Sequence, residues 1–353
     1  MRRSQTRTFT TPYRPIRPVQ QSTDQFLTKP PTRLAPLYAI HGAEPLSALE
    51  AADAIRALSK SQGYVEREVF TAEPGFDWSS LSAASSALSL FATQRLVELR
   101  IPSGKPGRDG GPAIEAYCTR LPEDTVTLIT LPEIDWQGQK AKWFLALHER
   151  AVMIEAKPIE RAQLPAWLAK RLARQQQSAS PEALELLADR LEGNLLGAKQ
   201  EIDKLALLCP PGEISQEAIE HGVADVARFE APAVLDAIAA GDAARVQRVL
   251  DGLKAEGEPL PYLLWLVGNE IRLLARMVNA TEAGRYPHPG KARAMERLAK
   301  RHSPKSVLRL MARAAEVDRL VKGIGLRDPW EALADLSCAM AGKPLMRASA
   351  ELR

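Results

Sequence analysis

Between residues 37 and 155 the chain alternates short β-rich runs with stretches of helical spacing, and nothing else in it constrains the fold as much. The runs are LYAI (37–40), VEREVF (65–70), LVELRI (96–101), TVTLITL (125–131) and AVMIE (151–155). Residues 45–61, 78–91, 111–120 and 138–149 carry helical spacing between them. Parallel strands need a crossover of a dozen or more residues, and helices supply it. The alternation therefore predicts an α/β domain over residues 35–157, a mostly parallel sheet covered on both faces.

After Lys157 the strand signals stop. ERAQLPAWLAKRLARQQ, SPEALELLADRLEGNLLGAKQEIDKLALLC and SQEAIEHGVAD place apolar residues at helical spacing, with Ser180-Pro181 and Ser215 as helix starts and Gly193 in a tight turn before Asn194 as cap. They predict a small all-α domain over 158–227. A helical bundle over 228–353 follows, with helices at 259–280, 304–322 and 328–341; Leu260, Leu263, Val267, Leu274 and Met277 stripe the first of these. The first 34 residues hold seven basic residues against Asp24 alone, with several prolines and no sustained apolar period, which predicts a disordered basic extension. The formal net charge of +4 thus resides in that extension, and the rest of the chain is close to neutral.

Composition excludes several classes of function. Cys118, Cys209 and Cys338 lie far apart, without the paired spacing of a zinc cluster or a disulfide framework, as expected in a reducing cytoplasm. His41, His148, His221, His288 and His302 are scattered as well, so no metal, cofactor or nucleophilic catalytic set is predicted. No apolar run approaches the roughly 18 residues of a membrane span.

The first strand, turn and helix are laid out like a phosphate-binding loop. Such a loop needs a Lys on the outer phosphates and a hydroxyl on the metal. Counting from Gly42, the positions at stake hold Ser47, Ala48 and Leu49. Phosphoryl transfer also needs acids at the end of a hydrophobic strand. LVELRIP ends in Arg100, Ile101 and Pro102, while Glu133 and Asp135 are separated and sit beyond a proline. Nearly all of the electrostatic stabilisation of phosphoryl transfer is missing, so the loop is expected to be degenerate and non-functional.

LYAIHGAEPLSALEAADAIR, ALSLFATQRLVELRIPSGKPG, AKWFLAL, AQLPAWLAKR and EGNLLGAKQEIDKLALL, in that order and at those distances, resemble the delta subunit of the bacterial DNA polymerase III clamp loader over residues 34–345. The resemblance implies an AAA+-like (RecA-like) α/β domain followed by two all-α domains, a lid and a collar. It implies a subunit without catalysis of its own in a DNA-directed DNA polymerase holoenzyme, a nucleotidyltransferase. Its partners would be the beta sliding clamp, the gamma/tau ATPase subunits and delta-prime in a heteropentamer, and primed DNA, with no membrane.

The family's clamp-gripping Ser-Leu-Phe is matched by Ser89, Leu90 and Phe91, and Ser86 stands where some members carry Gln. Leu90 falls roughly 180° around the helix from Leu81, away from the core stripe of Leu81, Ala84 and Leu88. Lys105 and Arg108, among the glycines of PSGKPGRDGG, are candidate contacts to DNA phosphates, the alternative being a plain surface loop. Two rival readings remain: a nucleotide-hydrolysing AAA+ ATPase, and a helical scaffold without clamp affinity.

Overall fold

The computed structural model describes residues 19–81, 94–282 and 292–343. The chain divides into two compact units, Met1–Gln163 and Leu164–Arg353.

In the first unit six strands form one sheet: β1 (Val19–Ser22), β2 (Leu37–Gly42), β3 (Glu66–Thr71), β4 (Arg95–Arg100), β5 (Thr125–Thr130) and β6 (Val152–Ala156). The order is β1-β6-β2-β5-β4-β3 and every pair is parallel. Side chains alternate faces along a strand, so each strand feeds two cores. On one face Tyr38, Ile40, Leu96, Val126, Leu128 and Ile154 pack with the helices α1 (Thr23–Thr28) and α2 (Pro45–Ser61). On the other, Leu37, Ala39, Val97, Leu99, Ile129 and Met153 pack with α3 (Gly107–Thr119) and α4 (Lys142–Arg150). Burial on both faces explains why β2, β4, β5 and β6 read as nearly continuous apolar runs, while β3 at the sheet's end has no buried residue.

The expected disorder of residues 1–34 does not hold for 19–34. Val19–Ser22 adds β1 to β6 in register Val19↔Val152. Ser22 then caps α1 in a reciprocal box: its hydroxyl accepts from Gln25 N, and Gln25 Oε1 accepts from Ser22 N. Phe26 is buried edge-on to Tyr38, ring centroids 6.3 Å apart. A short polar strand and a six-residue helix carry too little periodicity to be read, and one buried aromatic supplies the tertiary hold.

Among its described residues the regular structure of the second unit is helical apart from a ladder of three residue pairs, β7 (Gln177–Ala179) with β8 (Gly212–Ile214), too short to leave a periodic signal. Its helices are α5 (Leu164–Arg174), α6 (Pro181–Leu191), α7 (Leu195–Leu208), α8 (Gln216–Gly222), α9 (Ala233–Ala240), α10 (Ala243–Ala255), α11 (Leu260–Glu282), α12 (Ala292–Ala299), α13 (Pro304–Val321) and α14 (Pro329–Met340). Ser180 and Ser215 are N-caps, as their positions predict. Leu263, Val267 and Leu274 are fully buried in the bundle core.

The expected boundary near residue 227 falls inside this unit, where a knot of contacts surrounds the turn between α6 and α7. Buried Glu192 accepts Nε and Nη2 of Arg245, the latter at 2.5 Å, and Arg248 meets Asp189 at 2.5 Å. Gly193, at φ 75°, lies so close to the Arg228 carbonyl that no side chain fits. Asn194 caps α7 through Gly197 N and donates to Val226 O.

Replacing Phe26 by Ala should lower the unfolding free energy by about 3 kcal/mol. Chemical denaturation checks this; an unchanged midpoint would mean that β1 and α1 contribute nothing to the unit.

Candidate functional site

Because all six strands are parallel, the turns that follow β2 to β6 gather at one edge of the sheet, and the candidate residues lie there. Gly42 ends β2 at φ 140°, against the Ala156 carbonyl at the end of β6, in a space that only glycine fits. Glu44 N donates to that carbonyl at 3.1 Å.

Glu44 is also the N-cap of α2, and its buried carboxylate accepts from Leu46 N at 3.2 Å and Ser47 N at 2.5 Å. Pro45 has no N–H, and Ala48 N donates to Glu44 O at 3.2 Å. Every amide of the first turn is thereby accounted for. In a phosphate-binding loop those amides and the positive end of the helix dipole face an anion. Here the anion is a side chain of the loop itself. Ser47 is buried, Ala48 half-buried, and Leu49 exposed on α2.

Ser86, Ser89, Leu90 and Phe91 lie outside the described residues. Residues 77–81, just before that segment, are described. Hydrogen bonds from the Ser79 side chain and from Ser79 N, the latter to Oδ1, hold the Asp77 carboxyl below the usual carboxylate range, and Leu81 is buried. Phe70, Phe76 and Trp78 form an edge-to-face ladder with centroids 6.2 and 5.1 Å apart, and Trp78 lies on Gly110 of α3 with no room for a Cβ. That contact explains why α3 begins at Gly107, four residues before the predicted start: glycine is needed for packing where its propensity argues for a loop.

Lys105 and Arg108 are both exposed, Lys105 in a turn pinned by Ser103, whose Oγ accepts from Lys105 N at 3.2 Å, and Arg108 in the first turn of α3. Asp135 is engaged in its own turn, accepting from Gly138 N at 2.6 Å, and Glu133 is exposed. Among the described residues no group of three or more potential ligands is placed to hold a metal, and no helix is long and apolar enough to cross a membrane.

Sequence similarity joins this geometry to known proteins. The profile of the family described as "DNA polymerase III, delta subunit" matches residues 38–157, the sheet and its edge. The chain is 30% identical to DNA polymerase III subunit delta of Escherichia coli K12 over 240 residues, covering 68% of this chain and 70% of that protein. The chain belongs to the DNA polymerase III delta-subunit family. It is 25% identical over 247 residues to subunit delta of Haemophilus influenzae, covering 69% and 72% of the two chains. A solved DNA clamp loader delta protein from Bacillus subtilis superposes with a TM-score of 0.46 at 20% identity, over 91% of this chain and 99% of that one. Delta-family proteins are non-catalytic subunits of DNA polymerase III, and nucleotidyl transfer belongs to the holoenzyme.

The sequence reading missed one element that shapes this edge in the delta-family chain. Glu98, mid-strand in β4 and 1% exposed, takes Nε and Nη2 of Arg56 at 2.8 and 2.9 Å and Nε and Nη2 of Arg67 at 2.6 and 3.0 Å. Arg67 lies on β3, so the cluster ties together the two strands that bracket the clamp-gripping match. Burial alone would raise the Glu98 carboxyl, but the hydrogen bonds from Arg56 and Arg67 outweigh it and hold the carboxyl at about 2, against an ordinary 4.5.

A depressed carboxyl stabilises the fold above its unfolded value, and that contribution is lost as pH falls from about 4.5 through about 2. Arg100 Nη2 also lies 3.7 Å from Glu98, and since Arg67 and Arg100 are open to solvent the contribution should be only about 1–2 kcal/mol. Glu98→Gln should therefore be less stable than the parent at pH 7 and lose less on acidification. Denaturation at stepped pH reads both, and parallel curves would remove the cluster from the account.

Proposed function

We propose that this chain is the clamp-gripping subunit of the clamp loader, working by binding and leverage. It binds the beta sliding clamp, holds one interface of the ring open, and is assembled with delta-prime and the gamma/tau ATPase subunits in a heteropentamer that places the ring on primed DNA. Family membership supports the complex. The observation that carries a binding role over a hydrolytic one is the Glu44 carboxylate on the first turn of α2, where an AAA+ enzyme would receive phosphate. A bound triphosphate would have to displace it without help from a loop lysine. On this reading Gly42, Ser47, Ala48 and Leu49 are scaffold.

Ser89, Leu90 and Phe91 enter the clamp, and Ser86, shorter than Gln, makes a smaller polar contact. The aromatic ladder and buried Leu81 supply a rigid base for the chain just before them. Lys105 and Arg108, exposed on the same edge, contact DNA phosphates. Residues 158–227 act as lid and 228–353 as collar. The collar reading is supported by a groove of about 680 Å³ between α11 and α13, lined by Trp265, Met311 and Ala314, beside which Tyr262 stacks on Trp265 at 6.0 Å. An open apolar face of this kind fits a helical neighbour.

Changing Leu90 and Phe91 together to Ala tests the reading. Burying such side chains is worth about 1.5–3 kcal/mol each, so clamp affinity should fall by roughly 10²- to 10⁴-fold. Melting temperature and pentamer formation should not change. Unaltered affinity, or affinity lost together with the fold, would exclude these residues as a dedicated clamp anchor.

A further inference from the structure

Helices α11 and α13 turn apolar side chains outward along the groove between them. On α11, Trp265 is 57% exposed and stacks on Tyr262 with the two rings 17° from parallel. On α13, Leu308 is 66% exposed, and Met311 is exposed one turn further on. Trp265 and Met311 line the groove, whose floor is Leu264, Ile271, Ala314 and Val321. Gly268 and Ala315 also line it and are too small to fill it. One exposed apolar residue is ordinary on a protein surface. An aromatic pair and two aliphatic side chains along a preformed groove are a patch of the kind that marks an interaction surface.

The charges beside the groove narrow the choice of occupant. Trp265, Arg272 and Arg276 share a stripe of α11, and Leu308, Arg319 and Lys322 share one of α13. All four of these cations are exposed. The acid among the lining residues is Asp318, already held by Lys322 Nζ at 2.7 Å, while Arg272 donates to the neutral Asn269. The rim is therefore cationic. A second copy of the chain would bring like charges face to face, which is costly at an interface. Nucleic acid would suit the cations, but its bases would set their polar edges on an aliphatic floor that offers them no hydrogen bonds. An amphipathic helix suits both parts: its apolar ridge fits between two helices, and acids beside the ridge meet the rim.

We propose that the groove between α11 and α13 seats an amphipathic helix of a neighbouring loader subunit, its apolar ridge against Trp265 and Met311 and its acidic flank facing Arg272, Arg276 and Arg319. This rests on the collar reading, to which it adds the seat and the charge of the partner element. Assembly through such a rim weakens as salt rises.

The test mixes the full chain with purified delta-prime and gamma/tau subunits and measures pentamer affinity at stepped salt. Clamp affinity, single-stranded DNA binding, self-association and melting temperature are read on the same samples. The variants are Trp265→Ala and the double variant Arg272→Glu/Arg276→Glu, all at exposed positions. Both should weaken pentamer affinity by roughly 10- to 30-fold, and the charge variant should also flatten its salt dependence, with the other readouts unchanged. If the parent enters the pentamer and both variants enter it equally well, the seat is overturned and the collar reading stands. A loss with Trp265→Ala alone would overturn the acidic flank. DNA binding lost with assembly intact would overturn the proposal in favour of nucleic acid, and parent dimers broken by Trp265→Ala in favour of a second copy. A parent that never enters the pentamer would overturn both readings.

Discussion

A carboxylate on the end of a helix organises this chain. The first turn of α2 offers amides and a dipole to any anion, and Glu44 satisfies them from within the loop. The same residue donates its backbone N–H to Ala156 O, so the cap also binds β2 to β6 at the turn. An empty phosphate loop would leave the start of α2 unsatisfied whenever nucleotide was absent. A self-capped one is complete, and the edge of the sheet is free to serve as a binding surface.

The rest of that edge follows from this stable base. The turns after β3, β4 and β5 pack on one another through Trp78, Gly110, Gly104 and Pro132, where two glycines allow side chains to approach the backbone closely. Behind them the Glu98 cluster joins β3 to β4 and α2. Such buried charge is weak evidence for stability in itself, and here Glu98 is the covered member while Arg67 stays open to solvent. The edge is therefore rigid where it presents side chains, and rigidity lowers the entropic cost of gripping a partner.

How much of this could be read from the sequence depended on range. Strands β2, β4, β5 and β6 announce themselves because burial on both faces makes apolar runs, and helix α2 because its buried residues recur at helical spacing. Gly193 and Asn194 were legible as a turn and a cap because both act locally. Their neighbour Glu192 was not, because its partner Arg245 is distant in sequence. Glu98 is similar: an acid in the middle of an apolar strand gains meaning only from Arg56 and Arg67. The strand at 19–22 was missed because it is short and polar, although the capping box at Ser22 and Gln25 was there to be found. The clamp-gripping match at Ser89, Leu90 and Phe91 came from resemblance and a helical-wheel argument alone.

The central claim is that this subunit grips its partner without nucleotide because the phosphate site is already filled. Clamp affinity of the purified chain, measured with and without MgATP, tests it most directly. The account predicts the same dissociation constant in both conditions. A change of about tenfold or more on adding MgATP would show nucleotide coupled to clamp binding through this chain, and would contradict it.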